Sequence, residues 1–429
     1  MAVGHYARLQ SMPCVIYEAA DRWGGNCVTY EWNGFRYDSG AHRLHGTDPD
    51  IVRQCAGLVK GDLSEVNIPS RIFKNGHQFK FPLELTDIVR NMPFRDLLVG
   101  MTELLRSAIA EGEGKDNFEE LAIRRYGRFF AKEFLLDYTE KLWGRPCSVL
   151  DTSLTGKRLN GLNAMGLLKD MLKFNSAPRH MEGKFYYPQG GIGRLTDALA
   201  DSCGRDRIRL NASVTRIFHD TNRIFAIEIN HREQIEVDEV VSTLPVNRFL
   251  GMLEPAIAGE DLITSFYFRN LMLVAMFLDK GKIGGAASLY FPGRDTVFTR
   301  AYEPRNRCIS MSPRGTTSLV AEIPCDAAAP VWSMPDQDVS DMVIDSFCGL
   351  GWIRRSDILG AEVRRLPDAY PVILSGHRQG CTAAEAALKK ITNLRTTGRN
   401  GRFAYSWIHD QLRWGQGVAR EMEPDARVN

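Results

Sequence analysis

Two rhythms of apolar residues divide this chain. An apolar run, Cys14-Val15-Ile16-Tyr17, stops at the carboxylate of Glu18 and reads as a short strand. A glycine pair, Gly24-Gly25, and a turn at Asn33-Gly34 follow. Pro49 to Leu58 reads as a linking helix. Arg71-Ile72-Phe73 and Gln78-Phe79-Lys80-Phe81 flank Asn75-Gly76, a strong hairpin signal. From Thr86 to Lys141 the period lengthens to that of a helix. Leu97, Leu98, Met101, Leu104, Leu105 and Ile109 form one stripe; Phe118, Leu121, Ala122 and Ile123, then Phe129, Phe130, Phe134 and Leu135, form two more. Gly112-Glu113-Gly114 separates the first stripe from the second.

The second half returns to shorter elements. Asn163 to Phe174 is predicted as a helix. Tyr186 to Gly193 reads as a loop leading into a helix over Arg194 to Cys203. Ile208–Leu210, Val214–Phe218, Ile224–Ile229 and Glu236–Thr243 read as strands. Met272–Leu278, Val297–Ala301 and Ser318–Ile323 predict a second, largely antiparallel sheet, while the stretch from Leu262 to Gly360 is the least clear. Asp336–Gly349 and Ala383–Lys390 read as helices, Leu394–Thr397 as a strand, and a glycine-bearing turn from Gly398 leads into a final helix ending at Glu421.

Bulk properties narrow the class. A chain of 429 residues can bury a large core and hold two or three domains. Lys plus Arg is 54 and Asp plus Glu 52, so nothing in the charge calls for nucleic acid or an acidic membrane surface. Nine cysteines without a C-x-x-C pair or a metal spacing read as reduced thiols, which points to the cytoplasm. The longest clean apolar run, Leu271 to Leu278, is far short of the roughly 20 residues of a membrane span, and the N-terminus lacks the apolar segment of a signal peptide.

The chemistry starts at Glu18. In a dinucleotide-binding unit, an acid ending the second strand accepts hydrogen bonds from ribose hydroxyls, and a glycine pair just beyond it lets backbone N–H groups approach a phosphate. Glu18, Gly24 and Gly25 fit that pattern, and the stretch reads as the second half of an FAD-binding fingerprint. Arg22 is open between a phosphate contact and a surface charge. The G-x-G-x-x-G turn that should precede Glu18 by about 20 residues is not in the chain as given. Ala2 to Gln10 looks like the tail of the helix that follows that turn. Two expectations follow: the natural protein is longer at its N-terminus, or this chain binds flavin poorly.

Glu18, Asp21-Arg22-Trp23-Gly24-Gly25-Asn26, Gly40-Ala41-His42 and His45 resemble the flavoprotein superfamily of amine oxidases, protoporphyrinogen oxidases and UDP-galactopyranose mutases. The resemblance implies an α/β fold: a discontinuous Rossmann-like FAD-binding domain (residues 1–48, 186–250 and 383–425), a substrate domain built on a mixed or antiparallel sheet (49–85 and 251–382) and a helical insertion (86–185). Ser242-Thr243-Leu244-Pro245 resembles the point where such chains return to the FAD domain. By the same resemblance, Asn26 and Gly40 join Glu18, Arg22, Gly24 and Gly25 at the cofactor, and His42 shapes the reactive face of the flavin. A structural histidine is the competing reading for His42. Gly398-Arg399-Asn400-Gly401-Arg402-Phe403 resembles the third flavin motif, bringing Gly398, Arg399 and Phe403 to the cofactor and Arg399 and Tyr405 to the substrate. Tyr138 to Arg145, with Trp143, resembles the substrate side of the mutases; helix-end packing is the alternative. Gly190-Gly191-Ile192-Gly193 reads as a plain loop, and His42 with His45 lacks the further ligands of a metal site.

Departures divide the functional expectation. Lys157-Arg158-Leu159-Asn160-Gly161-Leu162 keeps the first arginine of a mutase diphosphate motif, Arg158, but has Leu162 at the second, and Trp407 stands where an acid is usual. The main expectation is therefore an FAD-dependent oxidoreductase of the amine oxidase or protoporphyrinogen oxidase type, passing hydride from a small-molecule substrate to flavin N5. A mutase acting on a nucleotide sugar through reduced FAD, and a flavin-less remnant without activity, are the alternatives. Substrate, electron acceptor and oligomeric state are not legible.

Overall fold

The computed structural model describes residues 1–81, 83, 85–109, 117–154 and 184–422. Its central element is the strand Phe268–Leu278, eleven residues of which every one is buried. A strand buried on both faces reads as an unbroken apolar run, which is what Leu271 to Leu278 supplies. It pairs antiparallel with Thr317–Cys325 on one edge and Ile358–Pro371 on the other. These are the first three strands of a seven-stranded sheet, which continues through Arg300–Tyr302, Leu289–Tyr290, Ser70–Lys74 and His77–Phe81.

Successive side chains of a strand point to opposite faces, and the two faces of this one bury different partners. Met272, Val274, Met276 and Leu278 pack against Val339, Val343 and Phe347 of the helix Asp336–Gly349. Leu271, Leu273, Ala275 and Phe277 pack against Tyr30, Trp32, Phe35 and Tyr37, from the hairpin Thr29–Trp32/Phe35–Asp38. Trp32 stacks on Phe277 with ring centroids 4.3 Å apart and planes 3° from parallel. The hairpin that follows Gly24-Gly25 is therefore clamped to the large sheet.

The nucleotide-type segments come together from three parts of the chain. Ile16–Tyr17 pairs parallel with Ile208–Arg209, and Val240–Ser242 pairs parallel with Leu394–Thr396. Helices Ala2–Leu9, Gly193–Cys203 and Ile408–Glu421 lie beside them. The first and last of these approach so closely that a Cβ on Gly415 would sit 2.6 Å from that of Ala2. The helical block packs Phe118–Ala131 on Phe94–Ile109, and Gly127 (φ +71°) breaks the helix where a Cβ would stand 2.8 Å from the Leu104 nitrogen.

Most predicted elements stand where the periodicity put them. Ile358–Pro371 is the principal strand that the sequence reading lacked. It is an edge strand carrying Glu362, Arg364, Arg365 and Asp368, so its apolar alternation is diluted by residues that face solvent or pair along the sheet. Tyr186-Tyr187-Pro188 is strand rather than loop, paired with Leu63–Asn67, and the helix expected from Ala383 begins at His377. The expected helix Asn163–Phe174 and the Gly112–Gly114 break lie outside the described residues. Among the described residues no helix is long and apolar enough to cross a membrane.

Phe277 is fully buried beneath Trp32 and touches both Phe35 and Tyr37. Phe277→Ala is expected to lower unfolding free energy by about 3–5 kcal/mol, read from urea denaturation, because the cavity lies in a rigid two-layer contact that cannot collapse. A loss below about 1 kcal/mol would show that hairpin and sheet are not tightly joined.

Candidate active site

The site is built on the segment that runs from the hairpin into Gly40-Ala41-His42. Asp38 is fully buried, and burial pushes its carboxyl upward. It accepts from the Tyr187 hydroxyl, from Thr29 Oγ1 at 2.7 Å and from the Ile192 N–H at 3.0 Å. The Tyr302 hydroxyl donates to its backbone carbonyl at 2.6 Å. These bonds join the hairpin to the Gly190–Gly193 turn. That turn is more than the plain loop the sequence suggested: at Gly191 (φ +112°) a Cβ would come within 2.3 Å of Thr29 Oγ1.

Next along the chain, the Ala41 N–H donates to Glu322 Oε1 at 2.9 Å. Glu322, 2% exposed, also pairs with Arg300 at 2.6 Å. Its partners keep an ionised carboxylate tolerable in the interior. His42 is half-buried, and its Nε2 is 3.2 Å from Ser39 Oγ. Burial, then the positive charges of Arg399, Arg300 and Arg307, push its pKa down to about 3. At neutral pH it is therefore a neutral imidazole.

The second wall comes from the C-terminal turn. Gly398 takes φ +83°, and the Arg399 guanidinium donates to the carbonyls of Ser406 at 2.7 Å and Ala369 at 3.5 Å while lying over the Tyr405 ring. Among the described residues no carboxylate pairs with Arg399. Trp143 meets Tyr370 and Tyr405 edge-on, with centroids 5.9 and 6.0 Å away. Gly144 caps its helix in the left-handed conformation, and Arg145 pairs with Asp326 and covers Tyr267. The Trp-Gly-Arg stretch thus is helix-end packing and also presents an aromatic face to the site. Tyr370 feels Glu322, Arg300, Tyr405 and Arg399, so one cluster holds both walls.

His42, Arg399, Tyr405 and Trp143 are thus brought together. Glu18 ends the first short strand, where its Oε1 accepts the Ala20 N–H at 2.9 Å. Gly24 (φ +100°) and Gly25 (φ +56°) both adopt backbone that favours glycine, and a Cβ on Gly24 would press on Thr196. The Asn26 carbonyl accepts from Ser39 Oγ at 2.6 Å, and Gly40 lies beside His42 and Glu322. Arg22 bonds the Gly25 carbonyl and the Tyr30 hydroxyl, and lines an open cleft with Trp23, Arg36 and Arg194; it holds the turn. Phe403 is 4% exposed and edge-on to Phe266 and Phe268, so its place is the core. Arg158 lies outside the described residues. Arg300, Arg307, Glu322 and Tyr370 were missed. The available signal was a charge inside an apolar strand, as in Ser318-Leu319-Val320-Ala321-Glu322-Ile323.

This architecture is that of flavoproteins of the amine oxidase type. It superposes on a crystal structure of reduced UDP-galactopyranose mutase with a TM-score of 0.86, at 20% identity, covering 98% of this chain and 92% of that one. A putative protoporphyrinogen oxidase from Exiguobacterium sp. 255-15 gives 0.78 at 16% identity, covering 98% and 95%. The chain belongs to the family of flavin-containing amine oxidoreductases, which it matches over residues 8–371. Protoporphyrinogen oxidase 1 of Arabidopsis thaliana chloroplasts is 34% identical over 425 residues, 87% of this chain and 76% of that protein. The tobacco chloroplast enzyme is 22% identical over 424 residues, 87% and 74%.

FAD is the cofactor of this chain. The residues present fit it. Thr397 Oγ1, Asn400 Oδ1 and Trp407 Nε1, all on or beside the Gly398 turn, are buried and have no partner among the described residues. Buried polar atoms are ordinarily bonded, so this turn offers a donor and two acceptors to a bound group. Among the described residues no cluster could hold a metal ion.

The His42 shift has a direction that can be tested. A histidine that protonates at about 3 when folded, against 6.5 as a free group, contributes stability above about 6.5 that is lost as pH falls towards 3. His42→Asn removes that linkage. The melting temperature of the variant is expected to fall less between pH 7 and pH 4 than that of the parent protein; parallel curves would place His42 in an unperturbed setting.

Proposed function

We propose that this chain is an FAD-dependent oxidoreductase of the protoporphyrinogen oxidase or amine oxidase type, acting on a small substrate that carries an anionic group. The observation behind this reading is the charge balance of the site. Arg300, Arg307 and Arg399 stand against Glu322 and Asp38, and among the described residues Arg399 meets two backbone carbonyls and the Tyr405 ring but no carboxylate. A guanidinium presents a planar fork suited to carboxylate or phosphate, and a low-dielectric site makes one uncompensated positive charge a strong preference for an anion. The likeness to the Arabidopsis protoporphyrinogen oxidase supports the oxidase reading over its relatives.

Bound beside the Gly398 turn, the flavin would supply the two-electron chemistry of the reaction. The chain's own residues position and desolvate. Arg399 holds the anionic end, while Trp143, Tyr370 and Tyr405 wall the apolar body and keep out water. His42 stays neutral, so at neutral pH its ring can orient a neighbour by a hydrogen bond but cannot serve as an imidazolium acid.

A second reading, a mutase on a nucleotide sugar, is favoured by Arg300, Arg399 and Tyr405 lying in one site. Leu162, where the diphosphate motif has its second arginine, and Trp407, where an acid is usual, weigh against it. Product analysis separates the two. The flavin-loaded protein should lose its oxidised visible band on anaerobic mixing with substrate and regain it in air. With the flavin reduced by dithionite, it should leave UDP-galactose unconverted; furanose–pyranose interconversion would overturn the oxidase reading. Arg399→Met should raise KM for the anionic substrate by about 30-fold or more, the loss of a charge-assisted contact worth roughly 2 kcal/mol or above. An unchanged KM would remove Arg399 from substrate binding.

A further inference from the structure

The strand Ile358–Pro371 does not run evenly along its neighbour. Arg269 faces Tyr370, whereas Leu271 faces Leu366, so two steps on one strand span four on the other. Pro367, Asp368 and Ala369 stand out of the ladder opposite Asn270. Asp368 takes φ +50°, in the left-handed region that aspartate reaches more readily than most residues with a side chain and that a bond from a neighbour can fix. Asn270 holds it. Its side chain is buried, and its Oδ1 accepts the Asp368 N–H at 3.0 Å. Arg248 fixes the Asp368 carboxylate from outside at 2.6 Å.

Bulges re-aim a strand next to a site, and this one changes what the strand can bond. On an edge strand carbonyls alternate between the neighbouring strand and the open side, so two consecutive ones do not normally face the same way. Across the bulge the carbonyls of Asp368 and Ala369 both turn to the Gly398–Gly401 segment. Asp368 accepts from Asn400 Nδ2 at 2.9 Å, and Ala369 accepts from Arg399 Nη1 at 3.5 Å. The next residue, Tyr370, is the one that meets Trp143.

We propose that Asn270 is a positioning residue: it fixes the bulge at Asp368, and through these two carbonyls it sets where Arg399 and Asn400 stand against the large sheet. The importance of Arg399 to a reaction rests on the proposed function; its placement by Asn270 does not.

Hydrogen–deuterium exchange on the full chain without added flavin tests the placement. Asn270→Leu keeps the shape and removes the acceptor. Exchange in residues 366–371 and 397–406 should quicken roughly tenfold, with 317–325, on the other side of the central strand, unchanged. Asn270→Asp, which keeps an acceptor oxygen, should restore the protection. Loosening of 366–371 with 397–406 unmoved would overturn the proposal, as would equal loosening of 317–325, the mark of a general sheet role. If Asn270→Leu does not fold, Asn400→Leu approaches from the other end. It should quicken 366–371, and unaltered exchange there would also overturn the coupling. FAD titration of the parent chain, followed by flavin fluorescence, reads the functional proposal separately. Failure to bind would sink that proposal and leave the exchange result standing.

Discussion

The contact on which the site depends is the buried carboxylate of Glu322. It grows from the sheet strand Thr317–Cys325, takes the Ala41 N–H with one oxygen and Arg300 with the other. A carboxylate 2% exposed is tolerated in the interior only with such partners. Arg300 stands opposite Glu322 on the neighbouring strand of the same sheet, so satisfying this one charge fixes the Gly40–His42 segment against that pair of strands. The stacking of Trp32 on Phe277 supplies the apolar half of the same junction.

Electrostatics then follow from where the arginines end up. Arg300 is neutralised by Glu322, Arg307 acts on Asp38, and Arg399 has, among the described residues, two backbone carbonyls and the Tyr405 ring but no carboxylate. The field of the three keeps His42 unprotonated. An interior with this balance is suited to an anion, and it assigns His42 a hydrogen-bonding role. The aromatic residues beside it, Trp143, Tyr370 and Tyr405, come from a helix end, a bulged edge strand and the C-terminal turn. None of these is adjacent to another in sequence.

The sequence by itself determined the fold family and the cofactor. Gly24-Gly25 and the Gly398 turn were legible because a left-handed backbone restricts which residues can stand there, and such a restriction is local. The strand Leu271–Leu278 was legible because burial on both faces leaves an unbroken apolar run. Only the tertiary structure decided which charges meet. Arg300, Arg307, Glu322 and Tyr370 lie in strands and loops whose local pattern is ordinary, and their chemistry exists only once distant segments are paired. The same holds for Phe403: its motif suggested the cofactor, but its neighbours Phe266 and Phe268 draw it into the core. The edge strand Ile358–Pro371 and its bulge were invisible for a related reason. An edge exposes charged residues that blur a two-residue period, and a bulge depends on the register with a partner strand, which no single segment of sequence encodes.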